Sequence, residues 1–259
     1  MSQYHKITYI HDTFTDKIPH LILSVNVHEK PDFVIKQLNN FKQFIKVPFH
    51  VILNCNDEML ELLRNNQDFL NFKNAMLNPI PINKQRFHGS LLHGICSNMK
   101  LACSLFNFDY FIVLSSRTFF HKTLDNYNSK FTNIKLQSRK YGELPENIDF
   151  ETWWWPKMTK TKLCQYIVNN EGTLSSSPHE GLVLSSINCN NILEFLGKHP
   201  DIETDLYNYP TCSEEFALQS ISTLFYPYHY FHIGRYSLVD DMEIDPKNKS
   251  QFVHKVERV

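Results

Sequence analysis

Apolar positions along the chain fall into two patterns, short continuous runs and longer stretches with helical spacing. His20–Val27 (HLILSVNV) is a run rich in Leu, Ile and Val, which predicts a strand buried on both faces. Pro31 then opens a stretch in which Phe33, Val34, Leu38, Phe41 and Ile45 recur at helical spacing, and proline suits a first helical turn. A second strand is predicted over Phe49–Leu53, and a second helix over Met59–Leu70. Gly89 to Phe106 gives the clearest helix. There Leu91, Leu92, Ile95, Met99, Ala102, Leu105 and Phe106 share one stripe, while Ser97, Asn98 and Lys100 fall off it. It feeds Tyr110–Leu114, another buried strand.

Strands alternating with helices of this length predict an α/β architecture, with a central, mostly parallel sheet of Rossmann type flanked by helices. Ligands of such sheets sit outside the C-terminal ends of the strands, so binding loops are expected to start near Asn26, Asn54 and Ser115. The second half is less regular. It carries the Trp153–Trp155 cluster, a Ser175–Ser177 loop, a strand at Gly181–Ser185 and a helix from Ser213 to Phe225. Phe216, Ala217, Leu218, Ile221, Leu224 and Phe225 supply that helix's apolar face, with Ser213 as its N-cap. No repeat, low-complexity run or linker interrupts the chain, so residues 1–259 read as a single domain.

Composition narrows the function classes. An apolar share of 42% is too high for a disordered chain, and a net charge of -1 leaves no excess of cations to match a nucleic-acid backbone. The seven glycines form no G-x-G-x-x-G, no P-loop and no G-x-S-x-G elbow. The six cysteines form no C-x-x-C pair and no H-E-x-x-H occurs, so reduced, mostly buried thiols are expected rather than a zinc site. His88, His93, His229 and His232 lack a carboxylate or cysteine at ligand spacing and read as structural. The apolar runs are far shorter than the ~20 residues of a membrane span, and no signal-peptide pattern opens the chain. The expected location is cytoplasmic, with peripheral association at a membrane compatible with it.

Glu214 and Glu215 open the last helical pattern. Acids there complement the helix dipole by ~0.3–1 kcal/mol; alternatively, one of them is a general base aimed into a cleft.

Six blocks of the sequence stand in a telling order. The first is Ile22-Leu23-Ser24 through Leu38. Next come Arg86-Phe87-His88-Gly89-Ser90, which precedes a long helix with Asn98, and the strand Tyr110-Phe111-Ile112-Val113-Leu114-Ser115-Ser116. Gly181-Leu182-Val183-Leu184-Ser185, Ser213-Glu214-Glu215-Phe216-Ala217-Leu218-Gln219-Ser220 and Phe252-Val253-His254-Lys255-Val256 follow. Together they resemble the core-2/I-branching β-N-acetylglucosaminyltransferases and their xylosyltransferase and microbial relatives. The resemblance spans roughly residues 20 to 256 and points to the short soluble microbial or viral versions of the family.

What the resemblance implies is a GT-A-like fold and an inverting transfer from a UDP-sugar, without a metal or other cofactor, to a hydroxyl of a glycan or glycoconjugate acceptor. The family's catalytic base maps to Glu215 and its diphosphate-binding lysine to Lys255; the other cations near the C-terminus, Arg235, Lys249 and Arg258, are further candidates to neutralise a diphosphate. Val25, Asn26, Asn54 and Asn56 fall where the nucleotide would bind. Ser115, Glu180, Trp153, Trp154 and Trp155 are the acceptor-side candidates. The residues themselves bear on the metal: the strand ending at Leu114 runs into Ser115-Ser116-Arg117-Thr118, with no Asp-x-Asp to hold a divalent cation. Asp201/Glu203 and Glu243/Asp245 read as solvated turn acids. The family's Asp and Pro after the Leu-Ser block are replaced by Thr118 and Phe120. Two alternatives therefore stand beside the transferase: a non-catalytic sugar- or nucleotide-binding protein on the same fold, and a metal-dependent GT-A enzyme.

Overall fold

The computed structural model of the chain describes residues 18–126, 138–140, 158–170, 172–175, 179–225, 231–232 and 253–255, the backbone alone at 138–140, 173, 231–232 and 254–255. In chain order the first half contains β1 (Leu21–Asn26), α1 (Pro31–Phe44), β2 (Phe49–Asn54), α2 (Asp57–Arg64), α3 (Gln67–Leu70), β3 (Ala75–Leu77), α4 (Ser90–Leu105), β4 (Tyr110–Ser115) and β5 (Thr118–Phe120). Then come β6 (Ser138–Lys140), α5 (Lys162–Asn169), β7 (Thr173–Ser175), β8 (Leu182–Ser185), α6 (Ser186–Lys198) and α7 (Pro200–Tyr207). The chain continues through a 3-10 turn (Ser213–Glu215), α8 (Ala217–Phe225), β9 (Phe231–His232) and β10 (Val253–Lys255).

The main sheet has the order β3-β2-β1-β4-β8-β9. Its first four strands are parallel, β8 is antiparallel to β4, and β9 is antiparallel to β8. This is a mixed, mostly parallel α/β sheet of Rossmann-like character. The chain winds outward from β1 to β3 and then crosses back through α4 to β4, on the other side of β1. The direction of winding therefore reverses between β1 and β4, and the C-terminal edge there is where such sheets open a crevice.

Period-2 alternation sorts the strand residues between two apolar layers. Leu21, Leu23 and Val25 pack with Val34, Leu38 and Phe41 of α1, whereas Ile22 packs with Leu92, Ile95 and Met99 of α4. The α4 side also holds polar groups. Asn98 donates to Ser24 Oγ and to the Ile52 carbonyl, and Asn78 donates to Asn98 Oδ1 and Ser97 Oγ. These buried amides are satisfied, so they set the register of α4 on the sheet instead of destabilising it.

On the other face α1 fixes the short β5. Gln37 donates to the carbonyls of Ser115 and Thr118, Asn40 bonds both backbone groups of Phe120, and the Phe41 and Phe120 rings meet edge to face at 5.7 Å. Phe41 and Phe120 are fully buried, and burying each stabilises by ~1.5–3 kcal/mol. In turn β5 pairs antiparallel with β10, setting Lys255 opposite Thr118.

Several expected elements differ. The helix read over Met59–Leu70 is two, because the Asn66 side chain accepts from Phe69 N and starts a new helix at Gln67. The helix read from Ser213 begins as a 3-10 turn and becomes α-helical only at Ala217; Ser213 does not cap it, since its hydroxyl donates to the Leu206 carbonyl. Asp201 and Glu203 are not turn acids: Pro200 sits in the first turn of α7 and they follow it, with Glu203 bonded to Lys100 and Tyr207. Thr173–Ser175 is a strand paired with β6, so the Ser175–Ser177 loop loses its first residue to it. The six cysteines are free thiols, five of them buried.

Candidate functional site

Asn54, Asn26 and Ser115 end the three central parallel strands and lie side by side, Asn26 pairing with both neighbours. Alternation turns all three side chains toward α4. Asn26 donates to the Leu91 carbonyl at the start of that helix, and its Oδ1 is buried with no hydrogen bond. Asn54 donates to the Ile80 carbonyl, and its Oδ1 and backbone oxygen both accept from Lys84 Nζ, which also reaches the Ile82 carbonyl. Burial brings the Lys84 ammonium down to about 8. This clamp ties the loop after β3 to the end of β2. Ser115 Oγ lies 3.0 Å from Thr118 Oγ1 across the turn that carries Arg117. Val25 points the other way, into the α1 layer, fully buried. Asn56 caps α2 by accepting from Met59 N.

On the far side of β4 the chain delivers a set of acids. Leu182 N donates to the His179 carbonyl and Gly181 has φ 91°, a turn whose third residue requires the left-handed region and therefore favours glycine. Gly181 N also donates to the Val113 carbonyl, which docks the turn near the C-terminal end of β4. The turn presents His179 and Glu180. Opposite them the 3-10 turn presents Glu214 and Glu215.

The imidazole of His179 lies among three carboxylates. Its Nε2 is 3.5 Å from Glu180 Oε1, and its Nδ1 is 3.7 Å from the Oε1 atoms of both Glu214 and Glu215. Side-chain exposure separates the two adjacent acids, 0% for Glu214 and 19% for Glu215. Burial pushes the Glu214 carboxyl up to about 7, so it carries a proton for much of the time near neutral pH. Burial alone would lower His179, but Glu180, Glu215 and Glu214 together outweigh it and hold the imidazolium up at about 9. The buried acid thus tends to be neutral, while the reachable acid stands beside a cation.

Of the sequence candidates, the fold brings together Asn26, Asn54 and Ser115 in one row, with Glu180 and Glu215 near the C-terminal end of β4. Lys255 is placed by its backbone opposite Thr118, in the strand that follows the Ser115–Thr118 turn. Arg235, Lys249, Arg258, Trp153, Trp154 and Trp155 lie outside the described residues. Arg117 was not among the sequence candidates. It stands on the β4–β5 turn, 3.8 Å from Glu29 just beyond β1. His179 was also missed, one of thirteen histidines with no ligand-type spacing; the only local signal was its place before a Glu-Gly turn. Atoms of His179, Glu180 and Glu215 lie within 4.8 Å of one another, near enough for a cation, yet the two ring nitrogens face different carboxylates. His88 and His93 are structural: one accepts from Ser90 N and the other stacks on Tyr207.

No family model matches the chain, and no curated protein matches it. No helix among the described residues is long and apolar enough to cross a membrane.

Proposed function

We propose that the protein is an inverting, metal-independent glycosyltransferase of GT-A type that moves a sugar from a UDP donor to a hydroxyl of a glycan or glycoconjugate. The observation that carries this reading is the placement of Glu215. It is a partly exposed carboxylate at the C-terminal edge of the sheet, beside the reversal of winding, on the same edge as Arg117 and the Lys255 backbone.

In this mechanism Glu215 accepts the proton of the acceptor hydroxyl as that oxygen attacks the anomeric carbon opposite the leaving diphosphate. One displacement inverts the centre. The diphosphate gains negative charge as it leaves, and Lys255 with Arg117 supplies the compensating cations that a metal supplies elsewhere. Asn26 and the end of β2 form the nucleotide side of the cleft, and Ser115 with Glu180 the acceptor side. Glu214 is buried and cannot reach a substrate, so the base is Glu215.

A thermal-shift screen tests the donor class: a ligand that binds only the folded chain raises Tm. UDP and UDP-sugars raise it in the presence of EDTA, whereas uridine raises it less. A screen in which no uridine nucleotide shifts Tm contradicts the reading.

A further inference from the structure

A base must be held in one orientation to accept a proton, and the group suited to hold Glu215 is His179. Its backbone belongs to the turn closed by Leu182 N to His179 O at 3.1 Å, and that turn is docked on β4 through Gly181 N to Val113 O at 2.7 Å. From this anchor the ring spans two segments of chain. Nε2 faces Glu180 of its own turn, and Nδ1 faces Glu214 and Glu215 of the 3-10 turn. Those three carboxylates are the charged groups that face it among the described residues.

Three carboxylates this close repel one another unless a cation stands among them, and the repulsion is strongest where water is excluded. Glu214 has no surface at all and neither of its oxygens accepts a hydrogen bond. A buried acid in that state requires a neighbouring positive charge or a proton. Among the described residues His179 is the side chain placed to serve all three, because its two nitrogens face different carboxylates. The separations of 3.5 and 3.7 Å are those of ion pairs rather than tight hydrogen bonds.

We propose that His179 is the positioning residue of the Glu215 base, an imidazolium that occupies among Glu180, Glu214 and Glu215 the place a metal ion would otherwise take. The inference rests on the transferase reading for what Glu215 does, while the presence of a protein cation at this place is independent of that reading. A pKa near 9 keeps the ring charged at neutral pH.

Two measurements on the full chain test it. In the first, side-chain nitrogen NMR follows the histidines from pH 5 to 10, with the His179 signal assigned by its loss in His179→Gln. The ring stays doubly protonated at pH 8, and Glu180→Gln lowers its midpoint; a ring that is neutral at pH 7 overturns the proposal. In the second, kinetics compare wild type, His179→Gln and His179→Lys. His179→Gln lowers kcat by ~10-fold or more with the donor KM within about twofold. His179→Lys recovers part of kcat. Unchanged kcat in His179→Gln overturns the proposal, as does stoichiometric Mn²⁺ or Zn²⁺ binding by calorimetry that His179→Gln abolishes. If His179→Gln does not fold, loss of the signal in His179→Lys supplies the assignment, and the wild-type and Glu180→Gln titrations decide. Wild type that transfers sugar from no UDP donor removes the transferase reading; the titration then supports or overturns the protein cation by itself.

Discussion

A Cβ on Gly89 would lie 1.9 Å from the carbonyl oxygen of Leu206, and that same oxygen accepts from Ser213 Oγ at 3.0 Å. Gly89 N also donates to Tyr209 O at 2.8 Å. The start of α4 and the turn that carries Glu215 are thus built against one carbonyl at the end of α7, which only a residue without a side chain can approach.

Gly89→Ala must therefore push backbone against backbone. It destabilises by ~1–3 kcal/mol, a fall in Tm of ~2–10 °C, and lowers transfer because the Glu215 turn moves with Leu206. Thermal unfolding of the purified variant checks this, and an unchanged Tm would mean that the contact does not exist.

Lys255 and Arg117 are assigned to the diphosphate. Lys255→Ala and Arg117→Ala each weaken UDP by more than they weaken uridine, which lacks the phosphates. Calorimetric titration with both ligands makes the comparison. Equal loss for UDP and uridine in both variants removes the diphosphate assignment.

The adjacent acids respond differently to pH. Because burial raises the Glu214 carboxyl to about 7 in the folded chain, above its ordinary value near 4.5, folding favours its protonated form. Its share of stability is present below about 4.5 and is lost as pH rises through 7. Glu214→Gln keeps the neutral shape at every pH. The variant's Tm therefore gains on that of wild type as pH rises toward 7 and levels off above it, in melts run on both proteins from pH 5.5 to 8.5. A Tm difference that stays constant over this window would mean that Glu214 is ionised throughout.

Much of the scaffold was legible in the sequence. β1, β2 and β4 announce themselves as runs of Leu, Ile and Val because both faces of a parallel sheet are covered, and α1 does so through a stripe that meets one layer. The existence of α4 was legible, its burial was not: Ser97 and Asn98, read as falling off its apolar stripe, are buried together with Gly94, Ile95, Cys96 and Met99. The terminal row Asn26, Asn54 and Ser115 follows from those strand ends. What could not be read depends on contacts between distant segments. Gln37 and Asn40 look like polar positions of an amphipathic helix, yet they turn inward to hold the β4–β5 turn. The antiparallel insertion of β8 beside β4 carries no signature in a four-residue strand. It is this insertion that brings His179 and Glu180 to the edge where Glu215 stands. The pair Glu214-Glu215 was visible as a helix start, but which member is buried is decided by the 3-10 turn.

The central claim is that Glu215 acts as the base of a metal-free sugar transfer. The most direct measurement is UDP release from a panel of UDP-sugars with and without a glycan acceptor, in EDTA, by wild type and by Glu215→Gln. The account predicts acceptor-stimulated release by wild type that persists in EDTA, and a fall of ~10²-fold or more in Glu215→Gln with UDP binding and Tm retained. Release abolished by EDTA and restored by Mn²⁺, or full turnover in Glu215→Gln, contradicts it.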